Sequence, residues 1–117
     1  MTESTQDLIT EYRSTAIAWD MMQNDAKKAN PLFERLHVIY KKLRIQQPGR
    51  HAITALMDDA TVGVGVRLVA AAHSLEWEAE RAIAVLETIE RDGPGLYRTT
   101  AKYTLKAFRE GTLNLDW

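Results

Sequence analysis

Apolar residues recur along the chain at intervals of three and four, and Ala, Leu, Glu, Lys, Arg and Gln fill the segments between its few Gly and Pro residues. Both features predict helix throughout, and few stretches alternate as strands do. Leu8, Ile9, Tyr12, Ala16, Trp19 and Met22 form the first stripe. Ser4 precedes it with Asp7 three residues on, a capping box with Asp in place of Glu. Leu32, Phe33, Leu36, Ile39, Tyr40 and Leu43 form the second stripe. Its helix starts either at Asn30-Pro31, since Pro is tolerated in a first turn, or nearer Asp25 with a bend at Pro31. Gln46-Gln47-Pro48-Gly49 predicts a break, after which a short helix carries Ile53, Leu56 and Met57 and ends near Asp58-Asp59. Two further helices are expected over about 64–75 and 76–91. Asp92-Gly93-Pro94-Gly95 predicts a turn, and a last helix runs to about Glu110 with Gly111 as its stop. Leu113, Leu115 and Trp117 in the tail are spaced to fold back on the body, while Tyr12, Trp19 and Phe33 sit on their stripes as core residues.

Aligned with itself at an offset of 30, residues 52–75 match 82–105 without a gap. The identical pairs are Ala52/Ala82, Ile53/Ile83, Leu56/Leu86, Gly63/Gly93, Gly65/Gly95, Ala71/Ala101 and Leu75/Leu105. Ala-Ile-x-x-Leu, a Gly-x-Gly connection and Ala-x-x-x-Leu read as helix, turn, helix, with small residues where two helices approach and Leu where they interlock. One such hairpin cannot bury its apolar face alone, so stacked copies share a core. The expected fold is all-α: one domain over residues 1–117, a short stack of antiparallel helical hairpins with about six helices.

Asp58-Asp59 followed by Val66-Arg67, Ala70-Ala71-Ala72 and Leu75 resembles a HEAT-type hairpin turning into its second helix, a likeness covering about half the chain. The further run His73-Ser74-Leu75, Ala82-x-x-x-Leu86-Glu87-x-Ile89 and Thr104-Leu105-x-x-Phe108-x-x-Gly111 resembles a small bacterial family of helical proteins catalogued as domain of unknown function number two thousand and nineteen. The resemblance implies a HEAT/armadillo-like α-α superhelix. It brings no activity, and no catalytic or ligand residue. Gly63-Val64-Gly65 departs from the repeat pattern, standing where a Pro-containing turn is usual.

Composition narrows the chemistry. The chain has 117 residues, is 45% hydrophobic, carries 15 Lys and Arg against 16 Asp and Glu, and has no Cys. That suits one soluble domain able to bury a core, and excludes disulfides, thiolate metal sites, iron-sulfur clusters and Cys nucleophiles. The amino terminus is polar and acidic, unlike an export signal, and the longest apolar runs, Leu68 to Ala72 and Ala82 to Leu86, fall far short of a membrane span. A cytoplasmic location is expected.

No catalytic constellation emerges. Gly63-Val64-Gly65 lacks the third Gly and the preceding strand of a dinucleotide fingerprint, no Gly-Lys-Ser or Gly-Lys-Thr marks a P-loop, and Ser4, Ser14 and Ser74 lie in no nucleophile elbow. Glu34-x-x-His37 has metal-ligand spacing, but a di-iron bundle needs a second such pair, and neither His51 nor His73 has a Glu three residues before it. His73, Glu76 and Glu80 share a face if the helix runs on through them; otherwise His73 reads as a surface or capping residue. Trp77, between two Glu, reads either as an anchor for a partner or as an aromatic folded onto the core. No cofactor and no metal is expected.

The near-neutral total hides opposed segments. Residues 27–51 hold seven basic residues against Glu34, a net of +6, between residues 1–26 and 74–92, each at −4. Lys41, Lys42, Arg44, Arg50 and His51 surround the expected Pro48-Gly49 loop, where they would attract phosphate or an acidic protein unless acidic faces of neighbouring helices neutralise them. With Trp77 they are the candidate partner-binding residues. The leading expectation is a non-enzymatic HEAT-like module for protein binding. One form is a small inhibitor or immunity-type protein whose acidic helices meet a basic partner. A nucleic-acid binder using residues 27–51 is the alternative, weakened by a pI of about 6.3 and by the lack of aromatics among those Lys residues. A helical metalloenzyme is a further one.

Overall fold

A computed structural model describes residues 4–113, whose regular elements are six helices: α1 (Thr5–Met21), α2 (Ala26–Leu43), α3 (Gln47–Met57), α4 (Val64–Ser74), α5 (Ala79–Asp92) and α6 (Gly95–Glu110). Consecutive helices pack as three hairpins, α1 with α2, α3 with α4 and α5 with α6, as an all-α stack. Residues 52–75 and 82–105 fall on the second and third hairpins.

Local chemistry sets the helix ends. The Ser4 hydroxyl accepts from the Asp7 amide at 3.0 Å and the Asp7 carboxylate accepts from the Ser4 amide at 3.4 Å, closing the capping box. α2 begins at Ala26 with Asp25 as its N-cap, and Pro31 lies inside the helix on its exposed side. The Pro48-Gly49 loop does not form: the chain turns at Ile45-Gln46, and both residues already belong to the first turn of α3. Pro is accepted there because its missing N–H would have had no helical partner. α6 ends at Gly111 in the left-handed conformation, φ 73°. Leu113 packs against the core, whereas Leu115 and Trp117 lie outside the described residues.

α4 is the central element. Gly65, Val66, Leu68, Val69, Ala70, Ala71, His73 and Ser74 are all buried, and the helix packs on α1, α3, α5 and α6. Its apolar, small-residue composition follows from that position, since a helix covered on several sides is apolar on several faces. Around it Leu8, Tyr12, Leu36, Ile39, Tyr40, Leu43, Ile53, Met57, Leu86, Ala101 and Leu105 complete one core. The radius of gyration, 13.4 Å, is that of a compact domain of this length. Among the described residues no helix is long and apolar enough to cross a membrane.

Candidate functional site

Where α4 ends, the core becomes polar and aromatic. His73 is only 4% exposed; the surface or capping role expected for it does not hold, because the apolar run of α4 carries it to the centre. Its Nδ1 lies 2.6 Å from the Tyr12 hydroxyl of α1. Its ring stacks on Tyr40 of α2 with centroids 3.9 Å apart and an interplanar angle of 5°, and His37 meets it edge-on at 5.4 Å. Burial disfavours the imidazolium in both: His37 is pushed down to about 4, with the Lys41 charge adding to the effect, and His73 to about 3, with His37 adding. Burial likewise raises the Tyr12 phenol well above its usual value, and that of Tyr40 to about 12, Arg44 and Glu76 acting on Tyr40 in opposite directions. The centre therefore holds a cluster of neutral rings.

The metal readings do not assemble. α4 stops at Ser74 and α5 starts at Ala79, so His73, Glu76 and Glu80 do not share a helical face. Glu34 is exposed while His37 is buried among Phe33, Tyr40 and His73. Among the described residues no three His, Asp or Glu side chains gather as a metal ion requires.

From the cluster an aromatic wall continues outward. Trp77, in the turn after α4, stacks near Tyr40 with centroids 6.2 Å apart. Its indole N–H donates to the Thr54 hydroxyl at 2.9 Å, which in turn pairs with Ser74 at 3.2 Å. Beyond Trp77 lies an open cleft of about 460 Å³ between α3 and α5, lined by Gln47, Arg50, His51, Thr54, Ala55, Trp77, Glu78 and Arg81. The Arg50 guanidinium sits 5.6 Å over the Trp77 ring and its Nε donates to the Arg44 carbonyl. Arg81 pairs with Asp58, the residue that caps the end of α3.

Three of the candidate residues, Arg50, His51 and Trp77, thus meet in one cleft. Lys41, Lys42 and Arg44 do not line it. The two Lys are exposed in the last turn of α2, where the helix dipole favours cations, and Arg44 lies 5.4 Å over the Tyr40 ring. Part of the basic segment is matched by acid, since Arg35 pairs with Glu11 of α1. The sequence reading missed Gln47, Thr54, Ala55, Glu78 and Arg81. The α3 members had a signal: Gln47, Arg50, His51, Thr54 and Ala55 are spaced by three and four along one helical face. The α5 members had none, because only the α4–α5 turn brings Arg81 opposite them.

The cleft offers one guanidinium, that of Arg50, over an aromatic ring, suited to binding a carboxylate or another planar anion. Its one buried hydroxyl chain, Thr54 to Ser74, is engaged in holding Trp77. No family model matches the chain, and no curated protein or solved structure matches it.

Proposed function

We propose that the protein is a non-enzymatic binding module whose α3–α5 cleft takes an acidic segment of a protein partner. The observation that carries this reading is the meeting of Arg50, His51 and Arg81 in one cleft with the half-buried Trp77, Arg50 lying over its ring. Trp and Arg are the residues that dominate binding energy when they share a pocket, and Trp77 is already fixed by Thr54 and Tyr40, so little order remains to be lost on binding. The exposed Lys41 and Lys42 supply longer-range attraction for the same partner. Three hairpins in series support a HEAT-like protein of the bacterial family that the sequence resembles, acting in the cytoplasm. The nucleic-acid reading is the weaker one, because the pI is only about 6.3 and the basic segment is partly matched by acid, Arg35 pairing with Glu11.

The test is affinity capture from lysate on immobilised wild-type protein and on the Arg50→Glu/Arg81→Glu variant, whose folding is verified by circular dichroism. A protein retained by the wild type should be lost from the variant, and should be released from the wild type by salt. Identical retained sets on the two columns would overturn the reading.

A further inference from the structure

A second cavity, sharing no residue with the cleft, opens between the tip of the α1–α2 hairpin, α4 and α6. Its volume is about 180 Å³. Trp19, Phe33, Leu68, Val69 and Tyr97 supply its large apolar and aromatic side chains, and the exposed Leu96 also lines it. Trp19 and Phe33 lie 5.7 Å apart and Trp19 and Tyr97 6.4 Å apart, giving three sides of an aromatic box. A cavity of about 150 Å³ is large enough to accept a benzene ring.

Gln23, Thr100 and Thr104 also line it, but the one polar lining residue that is buried is His73. His73, 4% exposed, forms part of the cavity surface. Its Nδ1 is taken by Tyr12, while its Nε2 has no hydrogen-bond partner among the described residues and is not sealed as both ring nitrogens of His37 are. An imidazole nitrogen that opens onto an aromatic-walled cavity offers a ligand's hydroxyl a hydrogen bond there. We propose that this cavity is a binding site for a small neutral monocyclic phenol, the ring held by Trp19, Phe33 and Tyr97 and the hydroxyl hydrogen-bonded to His73 Nε2.

Each part of that ligand follows from the site. The volume admits one six-membered ring with a single substituent and excludes a fused system with further groups. The aromatic walls favour a flat face over a branched aliphatic chain. The hydroxyl matches either tautomer of His73: if Tyr12 donates to Nδ1, Nε2 carries the proton and the phenol accepts, and if Nδ1 donates to Tyr12, the phenol donates to Nε2. Burial keeps His73 uncharged, so a carboxylate gains no counter-ion here and would be desolvated at a loss. The ligand differs in charge and in place from what the cleft selects, and the two sites stand or fall separately.

The experiment titrates phenol, toluene and benzoate into the full chain, following the methyl resonances of Leu68 and Val69 by NMR. Phenol should produce saturable shifts at both residues. One neutral hydrogen bond makes it roughly 2- to 10-fold tighter than toluene, which has the same shape and no hydroxyl, and benzoate should produce none. Thr104→Leu, which fills the cavity from its α6 side, should abolish the phenol shifts while the remaining spectrum stays native. Because Thr104 is half-buried and its hydroxyl makes no hydrogen bond within the described chain, this variant leaves the core intact. No saturable shift with phenol, equal affinity for toluene, or unchanged phenol binding by Thr104→Leu would each overturn the proposal.

Discussion

His73 and His37 are two imidazoles held where a charge is costly, and they govern how the protein responds to acid. The unfolded chain binds a proton at each His below the ordinary value of 6.5, whereas the folded chain resists until about 4 at His37 and about 3 at His73. Protons in that window therefore favour the unfolded state. This contribution is complete above 6.5 and falls as the pH drops, by at most about 1.4 kcal/mol per pH unit for each His, or about 2.8 kcal/mol per unit for the two together. Urea midpoints measured between about pH 7.5 and about pH 5 should decline, steeply below the His value and before most carboxylates titrate. Replacing His37 with Phe, which suits the surrounding Phe33 and Tyr40 rings, should about halve that slope. A flat profile across the window would show that the imidazoles are not buried as described. Tyr12 and Tyr40 were visible in the sequence as stripe residues. Their association with His73 was not, because the three lie on different helices and only the packing of α4 against α1 and α2 stacks them.

At the scale of elements, the entry into α4 shows why two glycines stand where a Pro-containing turn was expected. Asp20, near the end of α1, places its carboxylate against the first turn of α4, and the Tyr97 hydroxyl of α6 donates to it. A Cβ on Gly65 would lie 2.0 Å from Asp20 Oδ1 and 2.7 Å from the Tyr97 oxygen. No side chain fits there while three helices meet at that carboxylate, which also lies at the favourable, positive end of the α4 dipole. Gly65→Ala should therefore destabilise by about 1–3 kcal/mol despite the better helix propensity of Ala, as overpacking does. If the clash with Asp20 is the cause, the same substitution made in an Asp20→Ala background should cost less, a coupling that a double-mutant cycle read by thermal denaturation would expose. Additive costs would place the strain elsewhere. The existence and order of the helices were legible in the stripes, the caps and the Gly-Pro turns. The Gly-x-Gly segment was legible only as a connection, since the carboxylate that requires it comes from far along the chain. For the same reason Pro48-Gly49 read as a loop: a Cβ on Gly49 would lie 2.3 Å from the Leu43 carbonyl oxygen, so Gly49 marks a close approach of α3 to the end of α2, not a break.

For the whole molecule, the position of α4 decides how the protein comes apart. In a stack of hairpins whose units touch only their sequential neighbours, stability is a sum of local terms and terminal units fray separately. Here α4, from the second hairpin, packs on α1 of the first and on α5 and α6 of the third, and the core residues Tyr12, Leu36, Ile53, Val66, Leu86 and Leu105 form one cluster through it. Losing either outer hairpin strips an apolar face from α4, whose composition leaves it little water-compatible surface. The chain should accordingly unfold in a single cooperative transition. Circular dichroism reports the helices throughout, and the resonances of Leu8 and Leu105 report the first and third hairpins; all three should give the same urea midpoint. Leu105→Ala, a buried truncation costing about 2–5 kcal/mol, should lower that midpoint for every probe alike, including those in α1. If the α6 signals shifted while α1 kept its original transition, the hairpins would be independent units, and α4 would not be the element that joins them.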